Sequence, residues 1–117
     1  MCEFKVYIVE NEGMKKIAEE IIKAKFEDGH IELSDILGSS KRVDDALIEE
    51  INVNKECLLL RRILILPEVM NFLRIHKECE EKGVYMPEIE TAWEEVKAKG
   101  DELIKKLWNE FGRKKLE

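Results

Sequence analysis

The chain has 117 residues, enough for one domain or one small domain with an extension, and an apolar fraction of 44% allows a modest core. Charged residues make up 39% and the net charge is −6, with ten basic against fourteen acidic residues through Arg62 and ten against twelve after it, so neither part carries the positive excess that phosphate backbones demand. The longest apolar run, Cys57 to Leu66, is interrupted by Arg61 and Arg62 and is too short to span a membrane; Glu3 and Lys5 argue against a signal peptide, and three widely spaced cysteines make no disulfide framework, so a cytoplasmic protein is expected.

In chain order, Cys2 to Val9 alternates as a β-strand does, with Cys2, Phe4, Val6 and Ile8 on one face. Asn11-Glu12-Gly13 is a turn signal. In Met14 to Phe26 two periods compete: Met14, Ile17, Ala18, Ile21 and Ile22 keep helical spacing, whereas Ile22, Ala24 and Phe26 alternate, and Lys15–Glu20 is open to a helical reading. Asp28-Gly29 predicts a type I′ hairpin turn between Ile21–Phe26 and His30–Ile36, because both central residues need positive φ. A loop at Gly38-Ser39-Ser40, a short strand at Lys41–Val43 and a turn at Asp44-Asp45 follow. Ile48–Val53 and Glu56–Leu66 then form a hairpin around Asn54-Lys55. Five or six short strands in about 65 residues cannot bury both faces of a flat sheet, so the sheet must curl into a small barrel and cover the remainder with a partner.

From Pro67 the period becomes helical. Pro67 and Glu68 suit a first helical turn, Val69, Met70, Leu73, His76 and Lys77 share a face that Phe72, Ile75 and Cys79 widen, and Gly83 ends the helix. A second helix starts near Glu88, with Ile89, Ala92, Trp93, Val96, Leu103, Ile104, Leu107, Trp108 and Phe111 as its apolar stripe. Gly100-Asp101 kinks or divides it, since glycine costs about 1 kcal/mol against alanine there. Gly112, Arg113, Lys114 and Lys115 make a basic C-terminal end. The expected fold class is α+β: a β-rich, barrel-like domain at 1–66 and an α-hairpin extension at 67–117. With no glutamine and a single threonine, the composition resembles that of a thermophile's protein.

Cys2 offers a thiolate within a bond or two of backbone nitrogens, and amine, amide and thiolate together form five-membered chelate rings. Two such segments meeting at a dimer axis would hold a divalent ion: Ni(II) or Cu(II) in planar geometry, Zn(II) in tetrahedral geometry. The plainer alternative is a small apolar residue at a strand start.

Residues 1–62 resemble the CooT-type small nickel-binding proteins, a family earlier catalogued as predicted RNA-binding proteins. The resemblance is carried by Met1-Cys2 followed by Lys5-Val6-Tyr7-Ile8-Val9, by Ile21-Ile22 before Asp28-Gly29, and by His30-Ile31-Glu32-Leu33-Ser34-Asp35-Ile36-Leu37-Gly38. Ile48…Ile51-Asn52-Val53 and Leu58-Leu59-Leu60 complete it. It implies a compact β-rich homodimer that binds Ni(II) through Cys2 of each chain, stores, senses or delivers the metal to a nickel enzyme or its maturation proteins, and is not itself an enzyme. The helical tail is absent from short members of that family.

His76 and Cys79, three apart on a helix, could reach one ion as auxiliary ligands, but a pair supplies only two donors and packing is the simpler account. Cys57 reads as core and His30 as an exposed residue beside a turn. No phosphate loop and no nucleophile–base arrangement can be assembled. Two alternatives remain. Lys15-Lys16, Lys41-Arg42 and Arg61-Arg62 could form an RNA-binding face with Phe4, Tyr7 or Phe26 for stacking, although acids lie near each pair. A metal-free interaction module would instead use Trp93 and Trp108 of the tail as anchors.

Overall fold

The computed structural model describes residues 3–10 and 13–114. It contains six strands, β1 (Phe4–Glu10), β2 (Gly13–Glu27), β3 (His30–Asp35), β4 (Ser40–Asp44), β5 (Ala46–Asn52) and β6 (Cys57–Arg62), followed by two helices, α1 (Leu66–Lys82) and α2 (Glu88–Phe111). The fold class is α+β, and the chain divides into two compact units, Met1–Leu66 and Pro67–Glu117.

In the β unit the strand order is β4-β3-β2-β1-β6-β5. β4 and β5 lie at opposite edges of that order, yet Asp45 alone separates them in sequence. One residue cannot cross a flat six-stranded sheet, which would be roughly 24 Å wide at the usual strand spacing. The sheet must therefore curl until its edges approach, and the Ala46 N–H donates to the Gly29 carbonyl oxygen at 3.3 Å where they do. Arg62 secures the same corner: Nη1 donates to the Asp44 carbonyl at 2.7 Å and Nη2 to Glu10 Oε1 at 3.2 Å. The curled interior is filled by Val6, Ile8, Ile21, Ile31, Leu33, Val43, Ala46, Leu58 and Leu60.

β1 pairs antiparallel with β2 and parallel with β6, setting Val6 beside Leu58 and Ile8 beside Leu60. The buried and half-buried alternation along β1 agrees with the face expected for Phe4, Val6 and Ile8. The helical reading of Lys15–Glu20 does not hold, since Gly13–Glu27 is one long strand. Its irregular spacing has a local cause. Glu20 adopts φ 57°, and the pairing register slips between Ile21 and Lys23 on one side and twice between Phe4 and Tyr7 on the other. Each slip inserts an extra residue between inward positions, so Ala18, Ile21 and Ala24 turn inward at intervals of three, which imitates a helix. At the Asp28-Gly29 turn both residues have positive φ, 48° and 86°, as a type I′ hairpin requires. Of the turn read at Asn11-Glu12-Gly13, Asn11 and Glu12 lie outside the described residues, and Gly13 opens β2 opposite Glu10.

β6 ends at Arg62, four residues before the strand end expected from the apolar run. The Ile63 N–H is taken by the Asp45 carbonyl at 2.7 Å and the Leu66 N–H by that of Ile63, so Ile63 to Leu66 turns into α1.

In the helical unit, α1 closes with Gly83 at φ 65° and the Val84 N–H donating to the Cys79 carbonyl, a Schellman ending. Its inward face centres on Phe72, Ile75 and Cys79; Leu73 and His76, expected at the middle of that face, are exposed. The Phe72 and Trp93 rings meet with centroids 5.3 Å apart, which fixes how α1 and α2 face each other. α2 runs unbroken through Gly100. No helix among the described residues is long and apolar enough to cross a membrane.

Candidate metal centre

Cys2, the principal ligand expected from the sequence, lies outside the described residues. The strand that follows it in sequence is described from Phe4 onward. Phe4 opens β1 opposite Ile21, and the Lys5 N–H donates to the Glu56 carbonyl at 2.9 Å, so the first residues of β1 are held between β2 and the turn before β6. Phe4 also borders a shallow, mainly apolar hollow with Ile21, Ile22, Ile48, Ile51 and Leu58. Ile22 and Ile51 are exposed there, so the start of β1 emerges beside an uncovered apolar surface.

Among the described residues, no three of His, Cys, Asp and Glu come together as a metal-binding group. His76 is exposed, with Nδ1 3.3 Å from Glu80 Oε1, while Cys79 is half-buried on the inward side of α1. Cys57 is half-buried at the start of β6, alongside Lys5. His30, expected on the surface, is half-buried, and its Nδ1 is enclosed without a hydrogen-bond partner among the described residues. Strand pairing sets His30 between Glu27 of β2 and Asp44 of β4.

Several members of the basic pairs are bound up within the chain. Lys16 pairs with Glu19, Lys41 Nζ donates to the Ile17 carbonyl at 2.8 Å, Arg42 Nε lies 2.6 Å from Asp44 Oδ1, and Arg61 Nε lies 2.6 Å from Glu49 Oε1. These partners hold the Asp44 and Glu19 carboxyls below the usual carboxylate range and raise the Lys16 amine above its own, in each case chiefly through the side-chain hydrogen bond. Of the candidate stacking rings, Phe4 and Tyr7 are half-buried and Phe26 is exposed.

Residues 1–61 match the family described as CO dehydrogenase accessory protein CooT, a match that covers just over half of the chain and includes every strand but the last residue of β6. The chain belongs to the CooT family. A crystal structure assigned to CooT from Carboxydothermus hydrogenoformans is similar at 26% identity and a TM-score of 0.47, covering 52% of this chain and 97% of that one. No curated protein gives a significant match. The CooT family's description as an accessory protein agrees with the reading of a non-enzyme. The CooT match stops short of α1, so the helical unit lies outside the matched span.

Proposed function

We propose that this chain is a nickel-binding accessory protein that stores, senses or delivers Ni(II) for a nickel enzyme of the CO dehydrogenase kind. The observation that carries the proposal is the CooT match over residues 1–61, a span that begins with Met1-Cys2. Its proposed ligands are the Cys2 thiolates of two copies together with backbone nitrogens, a donor set suited to planar Ni(II) and compatible in vitro with Zn(II) or Cu(II). Two observations support it. No group of three side-chain ligands gathers among the described residues, which is consistent with a site that draws on the segment before β1. The exposed apolar hollow beside Phe4 gives a second copy a surface to cover at that end of the strand. His76 and Cys79 are at most auxiliary to such a site.

Titration of the tag-free protein with Ni(II) tests the reading. Thiolate-to-nickel charge-transfer absorbance is expected to saturate at one metal per two chains, with affinity rising with pH because thiol and nitrogen donors lose protons on binding. Cys2→Ser is expected to abolish the bands and leave the circular dichroism unchanged. Tight stoichiometric binding by that variant would overturn the assignment.

A further inference from the structure

The last three turns of α2 bear a stripe that nothing described covers. Ile104 is 66% exposed, Leu107 58%, Trp108 62% and Phe111 52%. Their spacing of three and four puts all of them on one side of the helix. The overhang arises from the lengths of the two helices. With Phe72 facing Trp93, the six residues back to Leu66 bring the start of α1 level with Lys99, so α1 does not reach the remainder of α2.

Two further features lie along the same side. Gly100 sits mid-helix one turn before Ile104, and a Cβ placed on it would meet no atom within 4 Å. Close packing inside the chain therefore does not account for a residue that weakens the helix. Asp101 and Lys105, one turn apart on one flank of the stripe, form no ion pair among the described residues, whereas the neighbouring Glu94–Lys97 and Lys99–Glu102 do.

We propose that this stripe pairs antiparallel with the same stripe of a second copy of the chain, about a two-fold axis at Ile104. That register sets Ile104 against Ile104, lays the Trp108 ring of each copy over the open backbone at Gly100 of the other, and brings Phe111 over the alkyl stem of Lys97. In an antiparallel pair each flank meets its own counterpart, so Asp101 of each copy faces Lys105 of the other and two opposite-charge pairs close one side. Parallel pairing would set each flank against the opposite one, so Asp101 and Lys105 would not meet across the pair, which selects the antiparallel arrangement. The four exposed side chains of both copies together remove on the order of 1,000 Å² from water, at the threshold for a specific interface, so the pairing is reversible and concentration-dependent. The inference needs no metal and stands apart from the nickel reading.

Zero-length carbodiimide cross-linking of an equal mixture of ¹⁴N- and ¹⁵N-labelled full-length, metal-free protein tests it. The expected product is a mixed-isotope peptide pair joined through Asp101 and Lys105. Ile104→Glu, at an exposed position, is expected to lose that pair while keeping its helical circular dichroism. Gly100→Leu supplies the second arm: it favours the helix and raises thermal stability, yet blocks the seat of Trp108 and lowers the mixed-isotope yield. Links confined to one isotope in the native protein, or mixed links that persist in both variants, would overturn the proposal.

Discussion

Asp44 stands where β4 gives way to the single residue that carries the chain to the opposite edge of the sheet. Its carboxylate accepts from Arg42 at 2.6 Å and its carbonyl from Arg62 at 2.7 Å. The Arg42 hydrogen bond is the main reason its carboxyl lies below the ordinary value of 3.8; desolvation, the next largest effect, opposes it, and the charges of Arg42, His30 and Arg62 add smaller lowering contributions. A carboxyl lowered in the folded state contributes stability that is complete above its unfolded value and is lost as pH falls through the folded one. The pair is exposed, so the effect on stability is small and the titration itself is the useful readout. Carbon-detected NMR should place the Asp44 midpoint below 3.8, and Arg42→Ala should move it upward; an unmoved midpoint would mean that the ion pair does not form in solution. His30 shows what a residue-level reading misses. Beside a polar turn it reads as exposed, yet its ring is half-buried in a strand that pairs it with Asp44, a residue fourteen positions away.

At the scale of elements, the β2–β3 hairpin was legible because its turn chemistry is local. Only a small set of residues tolerates positive φ at consecutive positions, and Asp28-Gly29 belongs to it. Gly29 at φ 86° also offers its carbonyl to Ala46. Gly29→Ala should therefore cost about 1–2 kcal/mol, read as a lower urea midpoint with an unchanged slope, because a Cβ is strained in the left-handed region. A variant as stable as the parent would show that the turn relaxes to another type. β2 was less legible for an equally physical reason. Its bulges are set by partners on both sides, and an interrupted period of two looks like a period of 3.6 until the pairing is known. Likewise, Ile63 to Leu66 continues an apolar run, but its amides go to Asp45 and to a turn, contacts that hydropathy does not encode.

For the whole molecule, curling could be argued from strand number and length, whereas the order of the strands could not. The parallel pairing of β1 with β6 joins segments some fifty residues apart, and periodicity carries no information about partners. The proposed metal centre was legible only in outline, from the chelating chemistry open to Cys2 and the resemblance of the Met-Cys start, since a site shared between two chains would leave no spaced ligand motif within one. The boundary near Leu66 has more direct consequences. All nine buried side chains of the β core belong to β1 through β6, the last being Leu60, so the residues that remove most apolar surface from water lie within the first 66. Burial of side chains of this kind is worth roughly 1.5–3 kcal/mol each before the entropy of ordering is subtracted, and that source of stability is intact when the tail is deleted. A chain ending at Leu66 is therefore expected to keep dispersed amide NMR signals and a cooperative thermal transition. It should also keep one Ni(II) per two chains, because the proposed ligands and the apolar hollow remain. A disordered fragment would show that the helical unit completes the β core. A folded fragment that no longer binds nickel would place the tail's contribution at the metal centre, where His76 and Cys79 would be the first residues to replace.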